Sequence, residues 1–335
     1  MRIKKEVRKI VASVLAFLMV VSLIPVNSLM TKANAASKTT FEGGKTVEDG
    51  TWKGWTWNVF GSSTDVTKAF ATDTGNGGVT LEVTGDKGKI NGSASDQGLN
   101  TFLYELDKSY DFTITAQAKV DTLAANAQAA FGLTIRDNVG AHGNTAKLTA
   151  DKNNFAFVGG YGNQAASGHG NAGYKTTALA HTRLGESPEV GGTYDLAIQK
   201  VGDSVKLYFN GEVAAECSAD DLITDNAMYV GLFAARNAKV TFNNVKLAYT
   251  QDSSSVKVTT NVTAPKKTTY CAGNTYEDVD LTGFKATVSV DGKEREITAS
   301  DCVVDMSNDP FAEVTDAGKL TLLYLGQTIV VEHLI

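Results

Sequence analysis

What most constrains this chain is the rhythm of residues 41–250. Short runs of alternating apolar and polar residues are separated by Gly, Asn, Asp and Ser, with almost no helical periodicity. The runs are "GVTLEVTG" (78–85), "DFTITAQAKV" (111–120), "AAFGLTIRD" (129–137), "NFAFVGGY" (154–161), "TYDLAIQKVG" (193–202), "SVKLYFNGEVAAEC" (204–217), "MYVGLFAA" (228–235) and "KVTFNNVKLAY" (239–249). Asn210-Gly211 supplies a two-residue hairpin turn, and "KVGDS" (200–204) a second tight reversal. Pro188 is the single proline between Pro25 and Pro265, so few strands are interrupted. Only "TLAANAQA" (122–129) has helical composition. Eight or more strands with so little helix predict an all-β fold, an antiparallel two-sheet jelly-roll sandwich.

The N-terminus has a different character. Arg2, Lys4, Lys5, Arg8 and Lys9 precede an apolar stretch over residues 10–24, and Ala33-Asn34-Ala35 follows. This order predicts a secretory signal over residues 1–35, cleaved after Ala35. The apolar run is shorter than the roughly 20 residues a spanning helix needs, and Pro25 ends it. The mature protein is therefore expected to be secreted or at the cell surface, with no membrane insertion after cleavage. The chain has 31 basic and 37 acidic residues; without the first 35, which hold 6 and 1, it keeps 25 and 36, a net charge of −11. Such a surface argues against nucleic acid, and a polyanionic ligand would need local basic groups or a bridging cation. Cys217, Cys271 and Cys302 match no metal-binding spacing. A Cys271–Cys302 bridge and small buried thiols both fit.

"TQDSSSVKVTTN" (250–261) is a shift to polar, serine-rich composition, read as a linker over 251–261. Residues 262–335 then form a second small β unit. It has a hairpin about Asp291-Gly292 and last strands in "KLTLLYLGQTIVVEHL" (319–334), and a seven-strand sandwich fits its length.

Two resemblances follow from particular residues. Tyr270 and Gly273, then Asp280-Leu281-Thr282-Gly283, then the Asp291-Gly292 hairpin closing on Ile297-Thr298, resemble a bacterial immunoglobulin-like domain over 262–335. That likeness implies a spacer with no chemistry of its own. "GWTWNVFGSST", "FGLTIRDN", "NNFAFVGGYGN", "YDLAIQKVGDSVKLYFNG" and "YVGLFAARNAKVTFNNVKL" make residues 36–250 similar to concanavalin A-like (LamG-like) lectin and glucanase sandwiches. They resemble in particular modules attached to secreted bacterial pectate lyases. The likeness implies a carbohydrate context, with a plant or other polysaccharide as partner.

Candidate ligand-binding residues come from the strand alternation. Phe131, Leu133 and Ile135 must face the core, which leaves Arg136 with Ala130, Gly132 and Thr134 on the opposite face, beside open space. A guanidinium there can bind sugar hydroxyls or a uronate carboxylate, or it can pair with an acid such as Asp137 or Asp195. "GLFAARN" (231–237) repeats the pattern with Arg236, which a bulge at Ala234-Ala235 would move onto the face of Gly231 and Phe233. Trp52, Trp55 and Trp57 are all the tryptophan in the chain, and Trp55 and Trp57 share one strand face. They suit sugar stacking or core packing. "GGYGNQAASGHGNAGY" (159–174) lacks a phosphate-loop ending and reads as a long mobile edge loop, with Tyr161, Asn163, His169 and Tyr174 at a ligand rim.

No catalytic motif stands out. "YELDKSYD" (104–111) puts Glu105 and Asp107 on one strand face without a third acid, so catalysis is not expected. Calcium is the one cofactor suggested, through the oxygen-rich stretches "VEDG" (47–50) and "SADDLITDN" (218–226). The expected function is a secreted, noncatalytic carbohydrate-associated module with a spacer, aiding polysaccharide recognition or degradation, pectin included. A structural or adhesive surface protein and a lyase or hydrolase acting through the sandwich are the alternatives.

Overall fold

Alternating runs become strands wherever turn residues bracket them. The computed structural model describes residues 38–334 apart from 63, 91–96, 149–152, 171–179, 186, 308–309 and 313–317. The expected signal segment and Tyr174 lie outside the described residues. In chain order the first fifteen strands are β1 (Thr39–Thr40), β2 (Trp55–Phe60), β3 (Ala69–Gly75), β4 (Gly78–Val83), β5 (Leu99–Asp107), β6 (Asp111–Leu123), β7 (Ala130–Arg136), β8 (Phe155–Tyr161), β9 (Gln164–Gly170), β10 (Ala180–Arg183), β11 (Thr193–Val201), β12 (Ser204–Phe209), β13 (Glu212–Ser218), β14 (Ala227–Ala235) and β15 (Ala238–Thr250). A one-turn helix, α1 (Ala219–Leu222), separates β13 from β14.

These strands make two antiparallel sheets. One is eight-stranded, in the order β1-β3-β4-β15-β6-β11-β12-β13; the other is seven-stranded, β10-β9-β8-β7-β14-β5-β2. Their inner faces share one core. Leu81, Ile114, Ile198, Leu207 and Phe242 come from the first sheet and Trp57, Phe102, Leu133, Val158 and Leu232 from the second. Each such side chain contributes about 1.5–3 kcal/mol by leaving water, which commits the alternation to one register. The all-β, antiparallel two-sheet expectation holds.

The outer face of the seven-stranded sheet is also covered. Phe60, Leu99, Phe155, Phe157, Tyr161 and Phe233 form a second cluster there, joined by Ile90 and Leu148 from connecting segments. Beneath it Gly132 and Gly159 face each other across β7 and β8, at φ 151° and 152°. A Cβ on Gly132 would lie 2.0 Å from the Val158 carbonyl oxygen, and one on Gly159 would lie 2.1 Å from that of Phe131. The small residues permit close backbone approach; they do not leave an open groove.

Two local expectations are corrected. "TLAANAQA" is not a helix: Thr122 and Leu123 end β6, and a turn follows. Asn126 Oδ1 accepts from Gln128 N at 2.8 Å, and Asn163 Oδ1 accepts from Asn126 N at 3.1 Å, side-chain bonds that compete with a helical ladder. The glycine-rich segment is not a long loop over residues 159–170 either, and its residues 171–174 lie outside the described ones. It forms the end of β8, a Gly162-Asn163 turn with both φ positive (58° and 64°), and β9. Backbone pairing needs no large side chains, so composition alone mistook a hairpin for a loop.

Six further strands follow: β16 (Lys257–Thr263), β17 (Lys285–Val290), β18 (Lys293–Thr298), β19 (Val303–Asp305), β20 (Gly318–Tyr324) and β21 (Gln327–Leu334). They form two three-stranded antiparallel sheets around Phe284, Val288, Ile297, Leu320, Leu322 and Ile329. The Asp291-Gly292 hairpin is present, with φ 51° and 74°. The serine-rich stretch holds a 3₁₀ turn, Ser253–Ser255, and most of β16. All three cysteines are free; Cys302 is buried while Cys271 is exposed.

These C-terminal strands pack on the outer face of the eight-stranded sheet. Thr115 Oγ1 donates to Ser300 O at 2.6 Å, Leu325 N to Thr113 Oγ1 at 3.1 Å, and Met306 N to Gly211 O at 2.9 Å. Ala197 and Tyr208 bury themselves against Val303, and Ala248 of β15 joins the C-terminal core.

Candidate functional site

The alternation placed Arg136 on the outer face of β7, and that is where its backbone puts it. The side chain is nevertheless fully buried, at 0 % exposure. Nη2 donates to Gln97 Oε1 and to Asn153 Oδ1, each at 2.7 Å, and Nε donates to Asn138 O at 3.2 Å. The guanidinium carbon lies 5.7 Å from the Phe60 ring centre and 5.1 Å from that of Phe155. Burial pulls its pKa down to about 10, so it stays a cation at neutral pH. Asp137 is not its hydrogen-bonded partner. That carboxyl accepts from Asn154 N at 2.8 Å and Thr224 Oγ1 at 3.3 Å, and burial pushes it up to about 6. A groove-lining role for Arg136 is thereby corrected: the outer cluster closes over it.

The other named residues also serve the scaffold. Trp55 and Trp57 point inward, 5 % and 8 % exposed; Trp55 stacks on Phe102, and Trp57 Nε1 donates to Asn100 Oδ1 at 2.7 Å. Neither presents a face to a sugar, because the N-terminal strand β2 uses its large rings to close the sandwich edge. Tyr161 is buried under the Arg183 guanidinium, 5.0 Å from its ring centre. Asn163 occupies the β8–β9 turn. Arg236 reaches its place without a bulge. Strand β14 ends in register at Ala235, and Arg236 and Asn237 form the turn to β15 with φ 52° and 42°. Its Nη1 donates to Asn126 Oδ1 at 3.2 Å.

The stretch 218–226 serves the α1 cap. Ser218 caps α1, and Asp203 accepts from Ser218 Oγ and Asp220 N. Among the described residues no three His, Cys, Asp or Glu side chains gather as metal ligands. None of the described helices is long and apolar enough to cross a membrane.

A cleft lined by polar and apolar side chains in comparable measure lies elsewhere, where the C-terminal strands meet β6, β11 and β12. Its volume is ≈ 480 Å³, and its lining includes Gln117, Asp195, Asn210, Asn244, Tyr276 and Glu277. Strand periodicity points Gln117 of β6 and Asp195 of β11 outward as direct neighbours. Asp195 is the hub: its carboxylate accepts from Gln117 Nε2 at 3.2 Å and from Tyr276 Oη at 3.0 Å. Asp195 N donates to Asn210 Oδ1 at 2.9 Å, which ties the hub to the Asn210-Gly211 turn. Burial, then the Asp195 charge, push the Tyr276 phenol far above its ordinary value, so it remains a donor. The described lining includes no Lys, Arg or His. Carboxylate, amide and hydroxyl groups beside tyrosine rings suit the hydroxyls of a neutral, polar ligand. Residue-by-residue reading missed this site because its two sides are about eighty positions apart in the chain. The signal available was the pair of polar residues Gln117 and Asp195 pointing outward from adjacent strands β6 and β11.

No protein-family model matches the chain. It is 30% identical over 253 residues to pectate lyase L of Thermoclostridium stercorarium, an alignment that takes in 75% of this chain and 19% of that protein. The chain thus spans about a fifth of that relative's length. Among solved structures, carbohydrate-binding module CBM66 from Bacillus subtilis aligns at TM-score 0.37 and 17% identity, over 62% of this chain and 98% of that one. Lectin II from Ulex europaeus aligns at TM-score 0.38 and 9% identity, over 64% and 99%. Alginate lyase A1-II' aligns at TM-score 0.38 and 11% identity, over 58% and 94%.

Proposed function

We propose that this chain is an exported, noncatalytic part of a polysaccharide-processing protein: a glycan-binding β-sandwich followed by an immunoglobulin-like spacer. The carrying observation is the 253-residue alignment with part of pectate lyase L. The basic and apolar N-terminal pattern supports export. The Asp195 cleft is the described site whose chemistry fits sugar hydroxyls. Its carboxylates, without a basic side chain among the described lining residues, favour neutral segments of a polysaccharide; a uronate-rich chain such as pectin would need a bridging cation there.

The test is affinity electrophoresis of the full mature chain through neutral glucans, galactans and xylans and through polygalacturonate, with and without calcium. Retardation by a neutral polysaccharide is expected, weakened about tenfold in Asp195→Asn, consistent with about 1.4 kcal/mol for a charge-assisted bond. Wild-type protein migrating freely in every gel would sink the glycan-binding reading.

A further inference from the structure

Two carboxylates, Asp195 and Glu277, stand among the described lining residues of the ≈ 480 Å³ cleft, and their circumstances differ. Each oxygen of Asp195 already accepts from the protein, one from Gln117 Nε2 at 3.2 Å and the other from Tyr276 Oη at 3.0 Å. That group joins the two walls. Glu277 is exposed and makes no hydrogen bond or ion pair among the described residues. Its oxygens are free to accept from a ligand.

The backbone that carries Glu277 is held on both sides. Tyr276 before it is wedged against the Asn210-Gly211 turn, where a Cβ on Gly211 would lie 2.7 Å from the Tyr276 ring. Asp278 after it accepts from Thr275 N at 2.8 Å, and Lys267 Nζ donates to Asp278 O at 2.8 Å. The three residues Tyr276–Asp278 form one 3₁₀ turn, so Glu277 projects from a fixed base. Lys267 also lies 4.2 Å from the Tyr270 ring centre and is not part of the cleft lining, which holds no basic side chain among the described residues.

A free carboxylate on a rigid wall accepts strongly from neighbouring hydroxyls and repels another carboxylate. Resting on the glycan reading above, we propose that Glu277 is the residue by which the cleft selects its ligand: it accepts adjacent hydroxyls of a neutral sugar and turns uronates away. The C-terminal unit is then a specificity-bearing wall of the site and more than a spacer.

The test is affinity electrophoresis of the full mature chain, without calcium, through neutral polysaccharides and through polygalacturonate. Wild type is compared with Glu277→Gln, Glu277→Lys and a charge control, Glu294→Lys, whose residue is exposed on β18 outside the cleft lining. All three variants change exposed side chains and are expected to melt within about 2 °C of wild type. Glu277→Gln is expected to weaken retardation by the neutral polysaccharide about tenfold. Glu277→Lys is expected to lose it further and to be retarded by polygalacturonate about tenfold more strongly than Glu294→Lys, which has the same net charge. A neutral polysaccharide retarding wild type and Glu277→Gln alike, or equal retardation of the two lysine variants by polygalacturonate, would overturn the role of Glu277 while leaving the glycan reading in place. Wild type passing freely through every gel would overturn both.

Discussion

Two titratable side chains near the outer cluster pull stability in opposite directions with pH. Asp137 is raised by burial to about 6 from an ordinary carboxylate value near 4. Its contribution is therefore fully present below about pH 4 and is lost as pH rises through about 6, by on the order of 2–3 kcal/mol. His142 is the reverse. Burial depresses its pKa, and its Nδ1 accepts from Val59 N at 3.2 Å beside the Trp57 ring. Its contribution is present above about pH 6.5 and is lost as pH falls through the lowered value. Subtracting the melting curve of Asp137→Asn from that of wild type should give a difference that falls between pH 4 and 7. The same subtraction with His142→Gln should give one that rises. Equal slopes would mean that neither group is buried as described. Trp57→Phe keeps an aromatic ring, though a smaller one, and leaves Asn100 Oδ1 without its 2.7 Å donor; a loss of about 1–3 kcal/mol in urea denaturation is expected, with glycan retardation unchanged. A change in retardation would return Trp57 to a ligand-facing role.

At the scale of elements, the turns carry the topology. The two-residue connections at Asn210-Gly211, Asp291-Gly292 and Leu325-Gly326 all have positive φ at both positions, the twist that antiparallel neighbours require. The first two were legible because Asn-Gly and Asp-Gly pairs announce themselves. Gly162-Asn163 was hidden in a glycine-rich run, and Arg236-Asn237 has no glycine at all. The pair Gly132 and Gly159 has a different task, letting β7 and β8 approach where a Cβ would strike a carbonyl. Gly159→Ala is expected to cost roughly 3 kcal/mol in chemical denaturation, because the φ penalty and the backbone clash coincide. A cost below about 1 kcal/mol would show that the sheet relaxes easily there.

At the scale of the whole molecule, the described residues from 38 to 334 fall in one contact unit, and the C-terminal strands belong to it. Apolar contacts at Tyr208, Val303 and Ala248 are reinforced by the Tyr276–Asp195 bond at 3.0 Å. Removing residues 256–335 would expose that surface, so the shortened sandwich is expected to melt several degrees lower than the full chain, which should unfold in one calorimetric transition. Two separate transitions, with the sandwich transition unmoved by the deletion, would describe independent beads on a linker instead.

The sequence by itself determined the strand rhythm, the antiparallel class and which face of β7 holds Phe131, Leu133 and Ile135, because side-chain alternation and turn chemistry are local properties. It also placed Arg136 on the outer face correctly. Only the tertiary structure decided what covers that face, since Gln97 and Asn153 arrive from segments 39 and 17 residues away. The same holds for the Asp195 cleft, where Tyr276 comes from 81 residues further on. Exposure is set by whatever packs on a strand from a distance, and no periodicity within the strand encodes it.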